Sequence, residues 1–412
     1  MLIQYSVKNY KSIKDEIVIN FSCLDKDTKE NYLVINEKEP IYKMICLVGP
    51  NASGKTNVLD SLYFALRFIA STIKRKDSSQ INVEPFLLDN ESRSDSTTFE
   101  FIFLEDGIKY VYGFSVNRQR VVEEYLLGYY SKKATTVFDR DSSRSIEYDF
   151  KGNDVKKQTE ISQKTNANRL YLPVAAEWGY EKVKPAYKWF ERMNRRYGNI
   201  DKSQIIEKIL GDKAQKAILI DALKKADFNI SNIYVKKRKM QKQQRDAVIA
   251  FLRMLGDSDL EEFSIPEERP VINITHKGVD NHEYSLEFSE DSAGTQSIID
   301  NIAEYLYVNK EGGLIIEDEL GKNFHTKLTE YFIHLFNEEK YNDGKAQMIF
   351  STHDTSVLKQ KILSPEQIYL VDKDEQGGTF VKLLDDYLIR EKDNIELGYL
   401  KGRYGAIPNI KG

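Results

Sequence analysis

The run Gly49-Pro-Asn-Ala-Ser-Gly54-Lys55-Thr56 constrains what this chain can fold into more than any other feature. It has the pattern glycine, four residues, then Gly-Lys-Thr. An apolar run, Met44–Val48, precedes it, and Val58, Leu59, Leu62, Ala65, Phe68 and Ile69 follow at helical spacing. A strand, a glycine loop and a helix in that order make a phosphate cradle. The loop N–H groups and the positive helix end hold phosphate oxygens, Lys55 reaches the outer phosphates, and Thr56 ligates magnesium. Gly49, Asn51, Ala52, Ser53, Gly54, Lys55, Thr56 and Asn57 are therefore the expected nucleotide contacts.

A phosphate loop needs an acidic partner on another strand. Gly312-Gly-Leu-Ile-Ile-Glu317-Asp318-Glu319 supplies an apolar run that ends in three carboxylates. Asp318 is expected to join Thr56 on magnesium, and Glu319 to polarise the attacking water. A Glu317/Asp318 register is the alternative, because Glu317 stands where a fourth apolar residue is usual. Ser292-Ala-Gly294-Thr295 forms a polar turn before a helical segment, which is either a helix cap or an anion site. His353 follows the strand-like Gln347–Phe350, at the sheet edge where ligands of α/β folds bind. His325, near the start of a helix, is its rival and reads as a packing or interface residue.

The expected architecture is α/β: a mixed or parallel sheet flanked by helices, an antiparallel β layer and a helical insertion. Alternating runs over residues 97–130, with an Asp106-Gly107 turn between two of them, give the β layer. Residues 1–153 form an N-terminal lobe, 154–265 a helical basic insertion, and 266–412 a C-terminal lobe. The insertion candidates are helices over 182–197, 203–210, 213–226 and 241–255.

The net charge of −4 hides an asymmetry, since residues 181–250 hold 18 Lys/Arg against 8 Asp/Glu. The densest cationic run is Lys236-Lys-Arg-Lys239. It reads either as a nucleic-acid contact through phosphates or as a solvated helix or loop face. No segment has the ~18 consecutive apolar residues of a membrane span. The opening is strand-like rather than a signal peptide, and Cys23 and Cys46 lack metal-ligand spacing. A cytoplasmic location without membrane contact is the expectation.

Taken in order, the phosphate loop, Ser292-Ala-Gly-Thr295, Asp318-Glu319 and Ser351-Thr-His353 resemble the ABC-type ATPase heads of the RecF, SMC and overcoming-lysogenization-defect proteins. The resemblance implies a homodimer that sandwiches ATP and Mg²⁺. Ser292, Gly294 and Thr295 would face the phosphates held by a second copy, with Glu319 and His353 as catalytic residues. It also implies a magnesium-site glutamine, for which Gln80 is the nearest candidate. Tyr5-Ser-Val-Lys-Asn-Tyr-Lys-Ser, Ala226-Asp-Phe-Asn-Ile and Tyr399-Leu-Lys-Gly-Arg-Tyr-Gly-Ala-Ile-Pro408 resemble the stand-alone ATPases, AAA family fifteen, of bacterial abortive-infection and anti-phage loci. These imply a switch controlling a separately encoded nuclease or toxin. A RecF-like repair ATPase on DNA and an ATP-stabilised, non-hydrolysing scaffold are the other readings.

Overall fold

The computed structural model describes residues 1–23, 33–34, 40–194, 202–226, 228–240, 243, 246, 268–280, 282–322, 324–342, 346–359, 362–387, 389–390 and 393–408. In chain order the strands begin β1 (Leu2–Lys8), β2 (Ile17–Asn20), β3 (Leu33–Val34), β4 (Ile41–Tyr42) and β5 (Met44–Val48). Next come β6 (Thr97–Glu105), β7 (Ile108–Val116), β8 (Val121–Tyr129), β9 (Thr135–Asp141), β10 (Tyr148–Asp149), β11 (Ile230–Lys239) and β12 (Glu268–Lys277). The last are β13 (Glu283–Glu287), β14 (Gly313–Glu317), β15 (Ala346–Thr352), β16 (Ile368–Lys373) and β17 (Thr379–Leu383). Two compact units result, Met1–Asn199 with Val308–Gly412, and Ile200–Tyr307.

The first unit carries an antiparallel sheet in the order β10-β9-β8-β7-β6-β1-β2 and a second sheet in the order β14-β15-β5-β16-β17. In the second sheet β14, β15, β5 and β16 run parallel and β17 returns antiparallel. Every residue of β5 is buried, as befits a central strand covered on both faces. In β6, by contrast, Phe99, Phe101 and Phe103 alternate inward while the residues between them are half-exposed. The β6–β7 hairpin turns on Asp106 and Gly107, with φ of 50° and 75°, the positive angles that a two-residue I′ turn demands.

The 154–265 insertion does not match this division. Helix Lys184–Asn194 lies in the first unit, where Trp189 and Phe190 are buried against Phe101 and Phe103, the Phe103–Trp189 rings stacking at 4.3 Å. Its inner face is core. The second unit is not purely helical: helices Lys202–Gly211 and Lys213–Lys225 accompany a sheet ordered β11-β12-β13. Lys236–Lys239 lies on β11, a strand rather than a helix or loop face. The 241–255 helix falls almost wholly outside the described residues.

A buried polar knot pins the β layer. Glu124 of β8 is fully buried and accepts hydrogen bonds from Tyr112 Oη at 2.9 Å and from the backbone N–H groups of Tyr171 and Leu172 at 2.6 and 2.9 Å. The buried Arg140 guanidinium stands 3.8 Å away. Burial pushes the Glu124 carboxyl above its usual range, while Arg140 and the three donors oppose that rise. Glu124→Ala leaves a buried cation short of one partner and three donors unpaired. We expect a loss of about 3–5 kcal/mol, read as an earlier urea midpoint at unchanged slope.

Candidate phosphate and metal site

The phosphate loop leaves the C-terminal end of β5 and enters helix α1 (Lys55–Ser71), and the chain path there admits only glycine at two places. A Cβ on Gly49 would stand 2.1 Å from the Val371 carbonyl oxygen of β16. Gly54 has φ +108°, and a Cβ there would meet the Thr379 side chain at 2.1 Å. Because the Gly49 obstacle is backbone, it cannot swing aside. Gly49→Ala is expected to cost about 1–3 kcal/mol of stability and to weaken ATP binding, measured by thermal unfolding with and without nucleotide.

Side chains from distant parts of the chain brace the loop. Thr379 Oγ1 donates to Ser53 O at 2.9 Å and lies 2.7 Å from Ser12 Oγ, which in turn accepts from Asn57 Nδ2 at 2.7 Å. Lys55 is buried, and its Nζ donates to Gly49 O at 2.8 Å and Pro50 O at 2.9 Å. Burial lowers its pKa, an effect that Asp318 and Glu319 oppose.

Across the cleft, Asp318 follows the last residue of β14. Thr56 Oγ1 donates to its Oδ2 at 2.8 Å, and Ser351 Oγ of β15 donates to its Oδ1 at 2.5 Å. The same Ser351 oxygen accepts from Glu319 N at 2.8 Å. One hydroxyl on the neighbouring strand thereby fixes both acidic residues. Glu319 sits at φ +57°, a left-handed turn that swings its side chain away from the strand path. Its carboxylate pairs with Lys322, and His353 Nε2 lies 3.9 Å from Oε1. The Lys322 contact holds Glu319 below the usual carboxylate range. Burial and the nearby Lys55 hold His353 below its ordinary value, against the pull of Glu319 and Asp318.

These groups enclose a cleft of about 330 Å³ lined by residues 51–57 together with Asp318, Glu319, His353 and Lys373. The structure thus brings Asn51, Ala52, Ser53, Gly54, Lys55, Thr56 and Asn57 together with the two acids and the histidine. Glu317 is not in the lining, and neither is Gln80, an exposed residue after α1. His325 caps helix Thr326–Asn337 by accepting from Lys327 N at 3.2 Å. Gly49 lies behind the loop, lining a second cavity of about 800 Å³ with Tyr399, Leu400, Ile407 and Pro408 of the C-terminal motif.

Ser292, Gly294 and Thr295 belong to the second unit and do not line the cleft. Ser292 caps helix Ala293–Glu311, its Oγ accepting from Thr295 N at 3.1 Å and lying 2.8 Å from Thr295 Oγ1. Packing within the chain does not require a glycine at 294: an added Cβ would meet only Ser292 Oγ, at 3.8 Å.

Sequence reasoning missed Lys373, Ser12 and Thr379. Nothing in their local pattern ties them to the phosphate loop, although Ser12 ends the Tyr5–Ser12 motif, because the strands and turns that carry them approach the loop only in three dimensions. Ser351 was visible as the start of Ser-Thr-His, though its bridging of both acids was not.

The donors fit phosphate and magnesium. Among the described residues the buried Ser53 Oγ of the loop has no hydrogen-bond partner. Thr56 and Asp318 already adjoin, and Mg²⁺ takes one or two protein oxygens beside phosphate and water rather than a full protein cage. No group of three or more His, Cys, Asp or Glu able to hold a metal occurs among the described residues. Cys23 and Cys46 are buried and form no disulfide. Among the described residues no helix is long and apolar enough to cross a membrane.

Three solved structures are similar over nearly their whole length at low identity. They are the SMC head domain from Thermotoga maritima (15% identity, 93% of this chain and 98% of that one, TM-score 0.38), an SMC head bound to the C-winged helix domain of ScpA (14%, 92% and 96%, 0.41), and an SMC head with an extended coiled coil from Pyrococcus furiosus (13%, 94% and 97%, 0.43). At such scores they add nothing to the argument. No curated protein matches the chain. A family model does match, over residues 44–359, and takes in the phosphate loop, the acidic strand end and His353. With that match spanning most of the chain and a cleft built for phosphate, the protein belongs to the family described as "AAA domain, putative AbiEii toxin, Type IV TA system".

Proposed function

We propose that this chain hydrolyses ATP with Mg²⁺ between two copies of itself, as a cytoplasmic switch in phage defence that controls a separately encoded nuclease or toxin. The observation that carries the hydrolytic reading is the single hydroxyl of Ser351 holding both Asp318 and Glu319 beside Thr56. Thr56 and Asp318 hold the metal, which when bound supplies positive charge to the phosphate oxygens. Lys55 exchanges its hold on the loop carbonyls for the outer phosphates. Glu319 orients the attacking water and draws off its proton, and His353 sits beside Glu319 as the sensor of the terminal phosphate. In this reading Ser292, Gly294 and Thr295 of one copy meet the phosphates held by the other, and the bare Gly294 leaves room for that approach. The words "toxin" and "TA system" in the family description support the defence setting.

The test measures phosphate release and solution mass of the full chain with and without Mg-ATP. ATP should double the mass, and turnover per chain should rise with protein concentration. Turnover per chain that is independent of concentration, with no change in mass, would remove the second copy from the mechanism. An absence of turnover at concentrations where the ATP-bound dimer forms would leave a scaffold instead.

A further inference from the structure

Strands β11 and β12 pair along their full lengths, from Ile230 opposite His276 to Lys239 opposite Glu268. Strand β13 pairs only with Asn273–Lys277. The stretch Lys236–Lys239 with Glu268–Val271 is therefore a two-stranded ribbon running past the third strand. It carries Lys236, Lys237, Arg238, Lys239 and Arg269 against one acid, Glu268, and all six side chains are exposed.

The arrangement weakens the ribbon's own pairing. Arg238 stands directly opposite Arg269, and like charges at such positions are destabilising. Arg238 is matched by an ion pair to Glu287 of β13. Among the described residues Lys236, Lys237, Lys239 and Arg269 have no carboxylate partner. Side chains alternate between faces, so Lys236, Arg238 and Arg269 share one face, and Lys237 and Lys239 the other.

We propose that this ribbon binds B-form duplex DNA through the phosphates of its major groove, without reading sequence. A groove about 12 Å wide admits a two-stranded ribbon whose strands lie about 4.8 Å apart. Seated edge-on, with one strand above the other in the depth of the groove, the ribbon turns one cationic face to each phosphate wall. Single strands call for an aromatic stacking platform, and the described ribbon has none. The narrow, deep major groove of A-form RNA shuts side chains out. A protein partner would call for an apolar centre poor in lysine, whereas among the described residues of the ribbon only Pro270, with Val235 at its base, offers exposed apolar surface beside these cations.

The test uses the full chain without nucleotide, so it stands apart from ATP turnover. Anisotropy of a labelled mixed-sequence duplex is followed from about 50 to 200 mM salt, for the parent and for Lys236→Gln/Lys237→Gln/Lys239→Gln. The parent should bind, and the triple variant should lose about 2.7 from the slope of log affinity against log salt, about 0.9 per lost contact. The corresponding triple arginine variant should keep the slope. Because these side chains are exposed, the glutamine variant should melt and release phosphate as the parent does. No binding at the lowest salt, an unchanged slope in the glutamine variant, or equal competition by single-stranded DNA or by polyglutamate of equal charge would overturn the proposal.

Discussion

Glu319→Gln is expected to stop phosphate release while ATP stays bound. Gln keeps the shape and the left-handed turn of the residue but cannot draw a proton from water, and loss of a positioned base costs about 10²- to 10⁴-fold in turnover. The contact between Glu319 N and Ser351 Oγ is a backbone one, so the exchange leaves it intact. Only the carboxylate's pairing with Lys322 and its proximity to His353 change. ATP binding should persist, and the ATP-bound dimer should accumulate. Glu317→Gln is the matching control: this side chain does not line the cleft, and its removal should leave turnover near that of the parent. The reverse pattern, with Glu317→Gln silent and Glu319→Gln active, would shift the register of the acidic pair by one residue. Single-turnover phosphate release and a filter-binding titration separate chemistry from binding.

Lys55→Ala should produce the opposite profile, with nucleotide affinity lost before chemistry is reached. The ammonium is buried with two loop carbonyls as its partners, and burial already lowers its pKa. Phosphate oxygens offer it a stronger, charged acceptor in the same place. Removing one partner of a buried, charge-assisted contact costs about 2–5 kcal/mol, or at least about thirtyfold in affinity. Folding should change little, because the desolvation cost of the ammonium disappears together with its hydrogen bonds. Titration calorimetry with ATP at fixed Mg²⁺ reads the effect. A variant that binds as tightly as the parent would take Lys55 out of the phosphate site.

Local patterns made the site legible where chemistry and chain path coincide. The phosphate loop, the acidic end of β14 and the histidine after β15 each sit at the end of an apolar run, and parallel strands bring such ends to one edge. The hairpin at Asp106-Gly107 was equally plain, since its turn angles demand those residues. Helix Lys184–Asn194 was misassigned to the insertion because its charged outer face dominates its composition, while Trp189 and Phe190, which decide its place, are two residues among many. Lys236–Lys239 could not be assigned to a strand from its own residues, since four successive cations carry no period; the pairing with Glu268–Val271 supplies it. Thr379 lies outside every local signal, and Ser12, although it ends the Tyr5–Ser12 motif, shows nothing there of its link to the phosphate loop.

The central strand β5 has a consequence for how the molecule is made. Its two sheet neighbours, β15 and β16, lie about 300 residues further along the chain, which at roughly 5–20 residues per second takes about 15–60 seconds to synthesise. Through that interval the wholly apolar Met44–Val48 has no strand to pair with in its own sheet. A nascent chain therefore carries an unpaired edge until β15 and β16 emerge, and the cleft that His353 and Lys373 line is completed only then.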